Sequence, residues 1–321
     1  MPSQAEEEPS MAATRPEEGE AKALVLGPES VSWRKSSDIR GFFGAGYALL
    51  LQTAHPTISS GVRDHSNYQN EPWQRLLRTL DYVNLTVYGG QDTIEVTQRL
   101  REMHKRIKGT NPDGSKYHAL EPSAYAWVQA TLVHAIIVVN RRFLRTMTEA
   151  EFEQLYDEWL GLARLLGVRD GDLPRDYADF DAYFDRMMAE QLGRTESAID
   201  VIESMKRPAR PPFLPSWTQP LWRLAFFPAS YLLLLVTTGL LPPVLRERLG
   251  LKWSPWRERQ LNAVAAVSRA LTPLLPRSFK ITGPNYLKMR RKAIRHDEFA
   301  PSKYRKDHSQ PDPTMTGRRP V

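Results

Sequence analysis

Residues 92–109 read DTIEVTQRLREMHKRIKG. Asp92 is a good helix N-cap, because a short carboxylate accepts the orphan N–H groups of a first turn. Gly109 closes the segment, since glycine ends a helix at little conformational cost. Between them Ile94, Leu100, Met103 and Ile107 form one stripe at helical spacing, and His104 lies within it at i+4 from Leu100. The segment predicts an amphipathic helix with an imidazole on its apolar face.

The same helical periodicity extends in both directions. Upstream, Leu76, Leu77, Leu80, Val83 and Leu85 give a helix over residues 73–87, broken by Gly89 and Gly90. Before it, the apolar run GFFGAGYALLLQTA at 41–54, capped by Asp38, stops near His55 because the residue before Pro56 is biased away from helix. Residues 57–72 read as a polar link. Downstream, NPDGSK at 111–116 is a turn-rich loop and Pro122 begins a strongly apolar helix through 124–142. Thr148 with Glu151 makes a capping box for a helix that ends at Gly167. One more helix falls at 179–191. The Pro-rich stretch RPARPPFLP at 207–215 reads as a hinge to a C-terminal segment with helices at 241–248, 255–275 and 284–295. No long alternating run appears, so strands are minor and the fold class is all-α, a helical bundle.

Composition narrows the chemistry. The 321 residues include no cysteine, which removes disulfides, thiolate catalysis, Fe–S clusters and cysteine-ligated zinc or haem, and fits a reducing compartment. The net charge of +7 is uneven. Residues 1–27 hold Glu6, Glu7, Glu8, Glu17, Glu18 and Glu20 and read as a disordered acidic tail. Residues 296–321 read as a disordered basic tail. It lacks interleaved aromatics, so no nucleic-acid partner is expected. The acidic start offers no signal peptide, which points to the cytoplasm. Residues 224–241, LAFFPASYLLLLVTTGLL, are about the minimum length for a span but are interrupted by Pro228, Ser230, Thr237, Thr238 and Gly239. They read first as a buried helix or hairpin, with peripheral membrane contact as the second reading and a true span as the third.

Dinucleotide, P-loop, nucleophile-elbow and HExxH patterns are all absent, which argues against hydride transfer on a Rossmann fold, phosphoryl transfer and serine hydrolysis. Histidine remains. Five of the seven lie between His55 and His134. His104 reads either as a core histidine satisfied by a backbone carbonyl or as an axial ligand to haem iron, with Arg101, Lys105 and Arg106 beside it to reach acidic groups such as porphyrin propionates. His55 and His65 frame HPTISSGVRDH and read as capping residues or as groups that approach one another or face a shared pocket. Arg75, Arg78 and Thr79 lie within one turn, Arg75 and Thr79 on one face, where a cation and a hydroxyl together suit dioxygen, a peroxide or a carboxylate. His118 reads as a loop residue, and His134 as core or pocket.

These same residues carry a resemblance. LLQTAHPTISSGVRDHS at 50–66, RLLRT at 75–79, VYGG at 87–90, REMHKRIKG at 101–109, YAWVQATLVH from Tyr125 and GLLPPVLRERLGLKW at 239–253 resemble, in order and spacing, the latex-clearing proteins (rubber oxygenases) and the oxygenase of mycophenolic acid biosynthesis. The similarity covers residues 36–291. It implies an all-α domain with a globin-like core binding haem b through one axial histidine, whose matching position, and so the metal ligand, is His104. It also implies that Arg75, Arg78 and Thr79 lie on the distal side. Gln129 stands where relatives often carry histidine, and no acid matches the relatives' proposed catalytic glutamate; Ser59 and Ser60 lie near its place.

The expectation is a haem b-dependent oxygenase or oxidase acting with dioxygen on a lipophilic, alkene-type small molecule. Arg75, Thr79, His55 and His65 are its candidate catalytic groups, and His104, Arg78 and Arg101 its candidate cofactor-binding groups. The alternatives are a haem sensor or carrier without turnover and a non-haem, membrane-associated scaffold.

Overall fold

The computed structural model describes residues 16–66, 72–210, 214–281, 283–285 and 287. The basic tail at 296–321, and the helix expected at 284–295 beyond residue 287, lie outside the described residues. In chain order the helices are α1 (Glu18–Ala23), α2 (Val31–Lys35), α3 (Ala45–Thr53), α4 (Pro56–His65), α5 (Pro72–Tyr88), α6 (Asp92–His104), α7 (Pro122–Val139) and α8 (Glu149–Leu166). They continue as α9 (Phe180–Glu190), α10 (Glu196–Lys206), α11 (Gln219–Leu240), α12 (Pro243–Arg248), α13 (Pro255–Leu271) and α14 (Arg277–Lys280). Strands β1 (Lys108–Thr110) and β2 (Lys116–His118) form a small antiparallel hairpin in register Gly109 with Tyr117. The protein is all-α, as the periodicity predicts.

The core is built around α7. Glu121 caps it by accepting from the Ser123 and Ala124 N–H groups, with Pro122 filling the position where no N–H is needed. The helix is apolar all round because α3 and α8 cover it, burying Trp127, Tyr47, Tyr156, Phe180 and Phe184. Two of the polar side chains inside this core bridge α3 and α7. Trp127 Nε1 donates to the Leu51 carbonyl at 3.0 Å, and Gln52 Nε2 donates to Thr131 Oγ1 at 2.9 Å. Helix α7 is long and apolar enough to cross a bilayer, but most of it is buried inside the molecule, as in the core helix of a globular fold.

Several expectations need correction. The polar link at 57–72 is largely helix α4. Pro56 starts it, and Ser59 and Ser60 are buried because α10 packs against them, Ser197 Oγ donating to the Ser59 carbonyl at 3.0 Å. Small polar residues permit that approach, and their polarity hid the helix. Helix α10 itself was not anticipated. Helix α6 ends at His104 rather than near 108, because Lys108 is drawn into the hairpin and the Tyr117 ring lies against Gly109 where a side chain would sit. Asp92 is the first residue of α6 rather than its cap. Of the stretch 1–27, the described part is ordered: α1 forms, and Ala21 and Leu26 join the core. The chain then continues as a strap over α8, where the Glu158 carboxylate accepts from the Val31 N–H at 2.8 Å and the Ser32 N–H at 2.7 Å. Trp33 packs edge-on against Tyr88 of α5 at 5.1 Å.

Residues 224–241 are neither a wholly buried helix nor a hairpin. Within α11, Leu235, Val236, Thr237 and Thr238 are buried, while Leu224, Phe227 and Tyr231 are exposed.

Candidate functional site

Helices α5, α6 and α7 bring the candidate residues together. Helix α6 packs on α5, and its last residue is His104. The His104 ring meets Tyr125 of α7 edge to face at 5.7 Å. Its Nδ1 donates to the Leu100 carbonyl at 2.8 Å, the backbone group one turn earlier. That bond fixes the tautomer and leaves Nε2 as the nitrogen with the lone pair. Burial pulls the imidazole below its ordinary value, the Leu100 bond opposes this and the charges of Arg75 and His118 add to it, so the neutral form is favoured. The two readings of His104 are thus compatible, since the carbonyl takes one nitrogen and frees the other.

Arg75 lies close enough to His104 for its charge to act on the ring. Its guanidinium donates to Thr79 Oγ1 at 2.5 Å, and the Thr79 hydroxyl donates back to the Arg75 carbonyl at 3.0 Å. Arg75 keeps accessible surface, yet desolvation is the main influence lowering its basicity, with the Arg78 charge second. Accessible and yet surrounded by protein is what a residue lining a recess shows. Leu76 and Leu77, on the same turn of α5, are also accessible although large and apolar.

Deeper in, several buried polar atoms lack partners. The Tyr82 hydroxyl lies toward Thr86 and Gln129 without reaching bonding geometry, and Gln129 Oε1 and the Tyr125 hydroxyl are likewise unmatched. Buried unmatched polar atoms are rare in native folds and mark a place where water or a ligand completes the structure. Tyr82, Tyr125 and Gln129 therefore join the candidate site residues. The sequence signal that could have found them is their spacing, since Tyr125 and Gln129 are one turn apart on α7 and Tyr82 is one turn beyond Arg78 on α5.

The other candidates are placed apart. Arg101 packs against Gly167, the left-handed cap of α8, in a small recess shared with Leu120, Tyr125, Arg169 and Asp172. Tyr125 lies at both places, on His104 and beside Arg101. His55 and His65 sit at opposite ends of α4, separated by about 15 Å at helical rise, so they do not approach one another. His65 Nε2 bonds the Lys108 carbonyl at 3.1 Å, fastening the hairpin to α4 together with Tyr117, whose hydroxyl donates to Asp64 at 2.7 Å. His55 is 3 % exposed and neither ring nitrogen has a partner; burial lowers its basicity while Glu121 opposes. His134 is a core residue, stacked on Phe184 at 3.8 Å and bonded through Nδ1 to the Tyr47 hydroxyl at 2.7 Å. His118 is not a loop residue but the last residue of β2, paired with Lys108, with its ring held between the Lys105 carbonyl and the Leu120 N–H.

Among the described residues no three His, Asp or Glu side chains converge as a metal site. A metal bound at His104 would draw its remaining ligands from a macrocycle, and the residues around His104 suit one: a neutral imidazole with its tautomer set, cations on α5 for acidic substituents, and apolar walls.

Residues 33–270 match the family described as ER-bound oxygenase mpaB/B'/Rubber oxygenase, catalytic domain. The chain belongs to this family of oxygenases. It is also 25 % identical over 233 residues to the uncharacterized protein Rv2237 of Mycobacterium tuberculosis, a similarity that covers 71 % of this chain and 87 % of the relative. The uncharacterized protein Mb2261 of Mycobacterium bovis matches to the same extent. No solved structure matches the chain.

Proposed function

We propose that the protein is a haem b-dependent oxygenase acting on a lipophilic, alkene-type small molecule, with His104 as the axial ligand. The observation that carries this reading is the His104–Leu100 bond, which presents a neutral Nε2 beside the Arg75 recess. When bound, the haem would supply an iron centre for dioxygen chemistry, and the chain would supply binding, orientation and exclusion of water. His104 Nε2 would hold the iron. Arg78 would offer a cation to the porphyrin carboxylates, while Arg101, packed against Gly167, lies apart from it. Arg75 and Thr79 present a cation and a hydroxyl that orient the oxidant and the substrate, while Leu76 and Leu77 give the substrate an apolar wall. Of the two histidines of α4, His55 is the one with unused nitrogens, so it keeps a candidate role; His65 is committed to the hairpin.

The test is the visible spectrum of the purified protein expressed with added haem, wild type beside His104→Ala. A Soret band that is lost or strongly shifted in the variant supports the reading. A colourless wild type that cannot be reconstituted overturns it. A coloured wild type that consumes no oxygen with any lipophilic alkene leaves a haem carrier or sensor.

A further inference from the structure

The C-terminal third carries an exposed apolar surface. On α11, Leu224, Phe227 and Tyr231 recur at i, i+3 and i+7 and so share one face, with Leu224 76 % and Phe227 71 % exposed. On α13, Gln260, Val267 and Leu271 likewise share a face, and both apolar residues are exposed. The Tyr231 hydroxyl donates to Gln260 Oε1 at 2.7 Å, joining the two faces edge to edge. Beyond α13 the surface continues through Leu274, 79 % exposed, and Phe279, 67 % exposed. Single exposed apolar residues are ordinary, but large ones gathered on two joined helix faces and on the segment that follows mark a docking surface.

Charge decides what docks. Residues 214–281 contain Arg223, Arg246, Arg248, Lys252, Arg257, Arg259, Arg269, Arg277 and Lys280 against only Glu247 and Glu258. Glu258 is already held by Arg142 and by Trp253 Nε1. Arg259 and Arg277 are exposed, and Arg277 and Lys280 bracket Phe279 in sequence. An apolar face rimmed by cations and nearly free of acids complements an anionic lipid surface, where side chains enter the acyl boundary and cations meet the headgroups. It complements a second copy of itself poorly, because the rims would repel.

The depth of contact is also set. Near its C-terminus α11 is buried at residues 235–238, and Gly46 of α3 lies against Thr237. The helix cannot leave the core to thread a bilayer, so only its outer half reaches the interface. We propose that α11, α13 and α14 form a peripheral docking face for anionic membranes.

The test is flotation of the full chain with phosphatidylcholine vesicles, with and without phosphatidylglycerol. Wild type is compared with Leu224→Ser/Phe227→Ser and with Leu274→Ser/Phe279→Ser, the fold being checked by circular dichroism. The expected result is binding that needs phosphatidylglycerol, weakens with salt, and falls more than about tenfold in each double variant. Failure of the wild type to float overturns the proposal. Undiminished binding by both variants also overturns it and assigns the lipid contact to the basic tail. Self-association that the variants abolish, without vesicle binding, overturns it in favour of a second copy.

Discussion

His104 and Leu100 are joined by a bond from a ring nitrogen to a backbone carbonyl one helical turn away, at 2.8 Å. A side chain held by its own helix needs no partner from elsewhere in the fold to set its tautomer. The proposed ligand position is thus prepared by secondary structure alone. His104→Gly should therefore fold, bind haem weakly or not at all, and recover a Soret band when imidazole is added. A variant that stays colourless with imidazole, while the wild type is coloured, would place the ligand elsewhere.

Arg75 works on His104 through space. Its positive charge is one of the influences that disfavour the imidazolium. Removing it in Arg75→Leu should raise the His104 pKa part of the way toward its ordinary value, since burial, the larger cause, persists. Histidine proton resonances followed across pH in the haem-free protein would show the shift. Haem uptake in the variant should then fail at a higher pH than in the wild type. Thr79→Val, which keeps the charge, should leave both readings near wild type but lower oxygen consumption.

Acid should unfold the protein through its buried imidazoles. Burial lowers the His134 pKa from 6.5 to about 3, while the unfolded chain titrates near the ordinary value. Between those values the unfolded state binds the extra proton, so stability is complete above about 6.5 and is lost progressively toward 3. The loss from this one group is on the order of 5 kcal/mol, and His104 and His55 shift in the same direction. His134→Phe should be less stable at neutral pH by about 1–3 kcal/mol, because the Tyr47 hydroxyl loses its partner, yet show a flatter fall with acid. Urea midpoints across that pH window test it.

Gly46 is where α3 and α11 come closest. A methyl group there would collide with the Thr237 hydroxyl and crowd Met205. Gly46→Ala should destabilise the protein by about 1–3 kcal/mol, as overpacking does in a close-packed interior. Thr237→Ala in the same chain should restore much of the loss, and a thermal melt of the three proteins reads it.

The parts of this molecule legible in the sequence are those fixed by neighbouring residues. Thr148 with Glu151, Gly167 as a left-handed cap, Asp38 as a cap and the stripe around His104 all depend on spacings of a few residues. Helix α4 was hidden because its buried face is serine, and seriness becomes interior only once α10 lies against it. The hairpin was hidden because its stability comes from Tyr117 reaching Asp64 of α4, fifty-three residues away. At the site, Arg75 with Thr79 was readable as a helical pair. The spacing of Tyr82, Tyr125 and Gln129 was readable too, but their lack of partners was not, since it is a property of α5 and α7 packed together. The same limit applies to His55 and His65, whose closeness in sequence suggested a meeting that an intervening helix prevents.

The strap at Val31 and Ser32 changes where the working unit starts. Their two N–H groups end on Glu158, Trp33 braces Tyr88 at the end of α5, and Lys35 reaches the Thr146 carbonyl at 2.6 Å. Family kinship begins at residue 33, between the donors and the rest of the brace. A fragment trimmed to that boundary would keep every proposed site residue and still strand a carboxylate and loosen the far end of the helix that carries Arg75. In this protein the border of shared ancestry and the border of mechanical integrity fall at different residues.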